Sequence, residues 1–172
     1  MDTLADQYYV KAMDSYPFSL EEAIENLNFA LSYDNGHVGA NYLMAKFCME
    51  QIFDYEQAEG YFKRAMGSDP YNQNVCMDYA MLLINMREFG KADKLIEFIL
   101  GFKGVDLARV YHLVGVQYEY KHQYDKAIQY YEDALLEAYN EEVSNALEGE
   151  IKRVKAKQKI RKKPSTGKKK SK

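Results

Sequence analysis

Apolar residues along this chain recur at intervals of three and four. In the stretch from Val105 to Tyr139, Tyr111, Val114, Gly115 and Tyr118 fall at i, i+3, i+4 and i+7. After a polar break at Lys121-His122-Gln123, Tyr124, Ala127, Ile128, Tyr131, Ala134 and Leu135 keep the same spacing. That periodicity places apolar side chains on one face of a helix. The stretch therefore predicts two helices joined by a short turn, each with a stripe that needs covering. Gly115 and Ala127 mark positions where the two backbones approach closely, because a bulkier side chain there would force them apart.

The same pattern occurs three more times upstream. A first unit, Thr3 to Asn35, carries Tyr8, Ala12 and Tyr16 before Pro17, which stops a helix. Ser19 with Glu22 predicts a capping box ahead of Ala23, Leu27 and Ala30. Asp34-Asn35-Gly36 reads as a stop. A second unit, His37 to Pro70, offers Tyr42, Ala45 and Met49, then Ala58, Phe62 and Ala65 behind Asp54-Tyr55. A third, Tyr71 to Gly104, offers Cys76, Tyr79, Ala80 and Leu83, then Phe89, Ala92, Ile96 and Ile99. The anchors Ala23, Ala58, Ala92 and Ala127 lie 35, 34 and 35 residues apart. Beyond Tyr139, Asn140 can cap a last helix whose first turn holds Glu141 and Glu142. Its stripe of Val143, Leu147, Ile151 and Val154 would cover the open end of the fourth unit, as a stacked array requires.

This unit resembles the tetratricopeptide repeat, a helix–turn–helix of about 34 residues. That family places a large aromatic early in its first helix, A, and a small residue four positions later. An aromatic precedes the second helix, B, along which a small–aromatic–small series follows. Tyr111, Gly115, Tyr118, Tyr124, Ala127, Tyr131 and Ala134 match those places. Lys46 and Ile99 depart from them, and the helix carrying Lys46 is expected to rotate slightly. The resemblance covers about four-fifths of the chain. It implies an all-α protein, a right-handed superhelical solenoid of tetratricopeptide-type helix pairs. Four repeats would span 3–139, a capping helix with a basic end 140–163, and a disordered Lys-rich tail 164–172.

In the family, the inner faces of the A helices line a concave side that receives an extended peptide or a helix. On this sequence those places fall at Tyr9, Met13, Leu43, Phe47, Met77, Met81, Ile84, His112, Val116 and Tyr120. The expected groove is apolar, with methionines at its centre, and suits a protein or peptide partner with an apolar or amphipathic segment. The resemblance implies a non-catalytic protein-interaction module: an adaptor, scaffold or chaperone. The competing reading is that these side chains pack between neighbouring A helices and meet no ligand. Family members that grip terminal carboxylates use Lys, Asn and Arg on this face. Asn74, Met77 and Met81 make no such clamp, although Lys11, Lys46 and Arg109 supply cations elsewhere.

Charge adds a second theme. The net charge of −3 over 172 residues hides an asymmetry, since residues 152–172 hold 12 of the 23 Lys and Arg and no acid. The remainder carries 26 acids against 11 bases. Lys152, Arg153, Lys155, Lys157, Lys159, Arg161, Lys162 and Lys163 begin this basic end. It reads as a solvated tail, as an electrostatic tether to nucleic acid or an anionic surface, or as a segment that folds back on the acidic body or joins copies into a homo-oligomer. No aromatic interrupts it, so nucleic-acid contact would be weak, nonspecific and salt-sensitive.

Candidate chemistry changes little. His37, His112 and His122 have no partners at ligand or catalytic spacing. Cys48 and Cys76 read as buried thiols in a reducing compartment. No phosphate loop, nucleophile motif or metal-loop pattern is present. The expectation is no enzyme, no metal and no cofactor. MDTLADQYYV has no secretory pattern, and no apolar run could span a membrane. A cytoplasmic location is expected, or a nuclear one in a eukaryote, where the basic run resembles a localisation signal.

Overall fold

The helical periodicity is realised throughout. A computed structural model describes residues 3–162, which form nine α-helices. They are α1 (Leu4–Ser15), α2 (Leu20–Tyr33), α3 (Val38–Glu50), α4 (Tyr55–Ser68), α5 (Gln73–Asn85), α6 (Phe89–Leu100), α7 (Leu107–Tyr120), α8 (Tyr124–Leu136) and α9 (Glu141–Lys162). Lys163 and the expected Lys-rich tail, 164–172, lie outside the described residues. Among the described residues no helix is long and apolar enough to cross a membrane.

Local capping fixes most starts. The Asp54, Asn72, Asp106 and Asn140 side chains accept from the backbone N–H three residues on, satisfying donors that a first turn leaves open. Thr3 and Asp6 form a reciprocal capping box. The box expected at Ser19 and Glu22 does not form. Ser19 sits at φ −125°, ψ 80°, away from the extended geometry that aims a hydroxyl into the first turn, and its side chain makes no cap bond.

The chain divides into two compact units, one up to Val105 and one from Asp106. In the first, α1 packs on α2, α3 on α4 and α5 on α6, with α2 meeting α3 and α4 meeting α5. In the second, α7 packs on α8 and α8 on α9. Each pair closes around one rule. The B helices bury Leu27, Phe62, Ile96 and Tyr131 at one position, and the A helices bury Ala12, Ala45, Ala80 and Gly115. The largest of these B residues, Tyr131, meets the smallest A residue. A Cβ built on Gly115 would lie 2.5 Å from the Tyr131 ring.

The second pair departs from the expected register by one residue. Ala45 is the buried small residue of α3, so Asn41, not Tyr42, fills the place four positions before it. Asn41 is fully buried, and its polar groups are satisfied. Its amide donates to the Asn35 and His37 carbonyls at 2.8 and 3.0 Å, and its oxygen accepts from Arg64 Nε at 3.0 Å. Met44 and Cys48 complete the stripe, and Met49 is only half-buried. The rotation carries Lys46 to the edge of the core, where it ion-pairs with Glu50 at 3.4 Å.

Three turns between A and B helices share a backbone feature. Phe53, Arg87 and His122 adopt φ of 56°, 65° and 58°. Each is a left-handed residue that lets the following N–H reach back to the helix end, as Glu88 N–H does to Leu83 O and Gln123 N–H to Tyr118 O, both at 2.9 Å.

Glycine-to-alanine exchanges separate packing from propensity. Gly115→Ala should lower stability by about 2 kcal/mol through the forced shift of Tyr131. Gly60→Ala in α4 meets no atom within 4 Å and should raise stability by about 0.8 kcal/mol. Thermal and urea unfolding of the two variants beside the parent measures both signs.

Candidate functional site

In the first unit the A helices stand in a row, joined by side-chain contacts. His37 Nε2 lies 3.1 Å from Asp6 Oδ1, and the Tyr16 hydroxyl donates to Glu50 at 3.1 Å. The Tyr9 ring fills the space beside Gly39, where a Cβ would lie 2.5 Å from it. Between α3 and α5, the Tyr42 hydroxyl donates to Asp78 at 2.6 Å, and Lys46 Nζ lies 4.0 Å from the same carboxylate.

This row does not present the expected apolar groove. Met77 and Ile84 are buried at 1% and 0% exposure, and Leu43 at 9%. The reason is the crowding of α5, which packs on both α4 and α6 and buries eight of its thirteen residues. Tyr9 is half-buried between α1 and α3, as the packing alternative has it. Met13 is exposed, and Met81 and Phe47 are half-exposed. The one-residue rotation of α3 changes which of its residues share the row's outer line. Met13 and Met81 directly follow the buried Ala12 and Ala80, and on α3 the residue that follows Ala45 is Lys46. Phe47 and Leu43 are displaced round the helix, and Tyr42 and Lys46 take their places. The face is thus two methionines flanking a polar centre of Tyr42, Lys46, Glu50 and Asp78. Lys46 also stands 5.9 Å over the Tyr42 ring. The sequence held one signal for this: Ala12 and Ala45 are 33 residues apart, where the other intervals are longer.

In the second unit α7 lies beside α9. His112, Val116 and Tyr120 are half-buried on α7. An open recess of about 260 Å³ is lined by Arg109, His112, Val143, Ala146, Leu147 and Glu150. Burial holds the His112 imidazole below its ordinary pKa, with Glu150 opposing, so the ring is neutral near pH 7. Its ring centroid is 5.6 Å from that of Tyr131.

The basic end helix is not a free tail within the described residues. Arg153 clasps Glu119 through two nitrogens, at 2.5 and 2.6 Å, and also engages Glu150. Lys157 reaches Glu119 at 2.7 Å, and the Tyr131 hydroxyl donates to the same carboxylate at 3.2 Å. Lys155 pairs with Glu132 at 3.1 Å, Gln158 donates to Asp125 at 2.5 Å, and Arg161 stands 5.9 Å over Tyr124. Burial opposes ionisation of Glu119, but Arg153 and Lys157 outweigh it and hold the carboxyl at about 2. Lys152 and Lys159 are exposed, and no acid among the described residues pairs with them. Lys162 is the last residue of α9, and Lys163 lies outside the described residues. Reading the sequence identified the basic end but missed its receiving carboxylates, because Glu119, Glu132 and Glu150 look like any other solvent-face acids.

Neither thiol is poised for reaction. Cys48 and Cys76 are buried, and burial pushes Cys76 up to about 11. Among the described residues no group of three His, Cys, Asp or Glu could hold a metal ion.

Comparison with known proteins agrees with this architecture. A family model described as tetratricopeptide repeat matches residues 53–115. The solved structure of Pseudomonas aeruginosa PilF is similar at a TM-score of 0.73 and 18% identity, covering 91% of this chain and 70% of that one. A MamA RS-1 double mutant is similar at 0.64 and 16%, covering 92% and 98%. MamA from residue 41 to its end, from Desulfovibrio magneticus RS-1, is similar at 0.64 and 16%, covering 95% and 99%. At these identities the likeness speaks to the fold alone. No curated protein matches the chain.

The Glu119 cluster makes a pH prediction. The carboxyl is held at about 2 against an ordinary 4.5, so its contribution is complete above about 4.5 and fades as pH falls towards 2. Glu119→Gln should cost about 2 kcal/mol at neutral pH, discounted from the full shift because Arg153 and Lys157 are partly exposed. The deficit should vanish by about pH 2. Urea unfolding of parent and variant across this range measures it.

Proposed function

Because residues 53–115 match the tetratricopeptide repeat model and the same helix pairing recurs on either side of them, we propose that the chain is a non-catalytic protein-binding module of that family, of the adaptor or chaperone kind. It receives an amphipathic segment across α1, α3 and α5. One observation carries the reading: Met13 and Met81 stay accessible in matching places on either side of the Tyr42–Lys46–Asp78 centre, directly after the buried Ala12 and Ala80. Methionine side chains are flexible and polarisable, and adapt to apolar groups of varied shape. The polar centre offers hydrogen-bonding groups where a wholly apolar partner would leave Lys46 and Asp78 desolvated. The favoured partner segment is therefore apolar at both ends of its contact and polar between.

Met77 is buried, so charging it would damage the fold and report nothing about binding. Met13→Glu with Met81→Glu is the informative pair. Proteins that the parent retains from the native cell lysate should be retained at least about tenfold less by the double variant, since two charges are placed where apolar contact is needed. Far-ultraviolet circular dichroism should show unchanged helicity. Equal retention of the same proteins by the folded variant would show that partners bind elsewhere.

A further inference from the structure

The acidic body and the basic end meet only in part inside one chain, and the remainder of each lies on an exposed helix face, where one side of the Phe29 ring stacks on Tyr8 at 5.0 Å and the rest is open. On α2, Glu21, Ile24, Glu25, Asn28, Phe29 and Ser32 form one stripe at helical spacing and border a shallow open recess. Phe29 is 43% exposed there. No Lys or Arg occurs between Lys11 and Lys46. Among the described residues no cation pairs with Glu21, Glu22 or Glu25. On α9, Lys152, Lys155, Ala156, Lys159 and Ile160 form a second stripe, all exposed, with Ile160 at 71%. The neighbouring edge of α9 is the one committed to Glu119, through Arg153 and Lys157.

The two stripes are complementary in charge and similar in layout. Each begins with a charged residue and reaches a large exposed apolar one eight positions on: Glu21 to Phe29, and Lys152 to Ile160. Eight residues of helix span about 12 Å, so the lengths match as well. Lys155 already pairs with Glu132 but keeps half its surface open, whereas Lys152 and Lys159 remain free to turn outward.

We propose that the occupant of the α2 stripe is the α9 stripe of a second copy of this chain. Glu21 and Glu25 face Lys152 and Lys159, and Phe29 packs on Ile160. The two surfaces differ, so the contact is head-to-tail. Each added copy presents a fresh α2 face and a fresh α9 face, and growth is open unless the rotation closes a ring. Two short helix faces bury less than the roughly 1,600 Å² of a standard stable interface. Association is therefore weak, reversible and screened by salt.

Sedimentation velocity from about 5 to about 500 μM, at about 50 mM and about 500 mM salt, reads this directly. The parent should grow in size with concentration at low salt, and high salt should weaken association roughly tenfold. Glu21→Lys with Glu25→Lys, and separately Lys152→Glu with Lys159→Glu, should each leave a folded monomer, because like charges then face one another. Mixed in equal amounts, the two variants should associate again, since each now carries a face opposite in charge to one on the other. A parent that stays monomeric at every concentration overturns the proposal. So does association of either charge-reversed variant at the parent's level. Failure of the mixture to associate overturns it too, and points to an external basic or acidic partner for these faces.

Discussion

How closely two helix backbones can approach within a pair governs everything else in this molecule. A single position on each A helix must be small, because the partner helix sets a large side chain against it. Where the A residue is glycine, the partner can be tyrosine, as at Gly115 and Tyr131, and that tyrosine in turn carries a hydroxyl to Glu119. The link from packing to charge is then direct. The side chain that fills the tightest contact also helps fix the carboxylate on which α9 is fastened.

That fastening gives the end helix a mixed hold. Leu147, Ile151 and Val154 are buried, an apolar stripe of the ordinary kind. Beside it stands a carboxylate shared by Arg153 and Lys157. A guanidinium held bidentately is fixed in direction as well as distance, so the ionic contact works with the buried stripe to fix the rotation of α9 about its own axis. That rotation decides which lysines are consumed internally and which face outward.

The repeat period, the helix pairs, the end helix and its Asn140 cap were all legible in the amino-acid order, because they follow from apolar spacing and local hydrogen-bonding chemistry. The candidate site was less legible. Moving the small position of α3 by one residue turns every side chain on that helix by about 100°, so Leu43 and Phe47 leave the outer line while Tyr42 and Lys46 join it. Burial of Met77 and Ile84 came from neighbours on both sides of α5, which no pattern internal to α5 could reveal. The partners of Arg153 and Lys157 depended on tertiary placement of acids whose spacing carries no signal.

The left-handed residues Phe53, Arg87 and His122 bear on how such a chain can change over time. Each follows an A helix in a tight turn, of four residues at 51–54 and of three at 86–88 and 121–123, tied by hydrogen bonds to the last helical carbonyls. From the small A residue to the B-helix alanine the spacing is 13 residues between Ala45 and Ala58 and 12 between Ala80 and Ala92, yet both alanines are fully buried. These turns therefore absorb a difference of one residue while keeping the B-helix alanine on the seam. A larger change would leave a B helix without its A partner's small residue, so the self-sufficient unit of this chain is the whole helix pair.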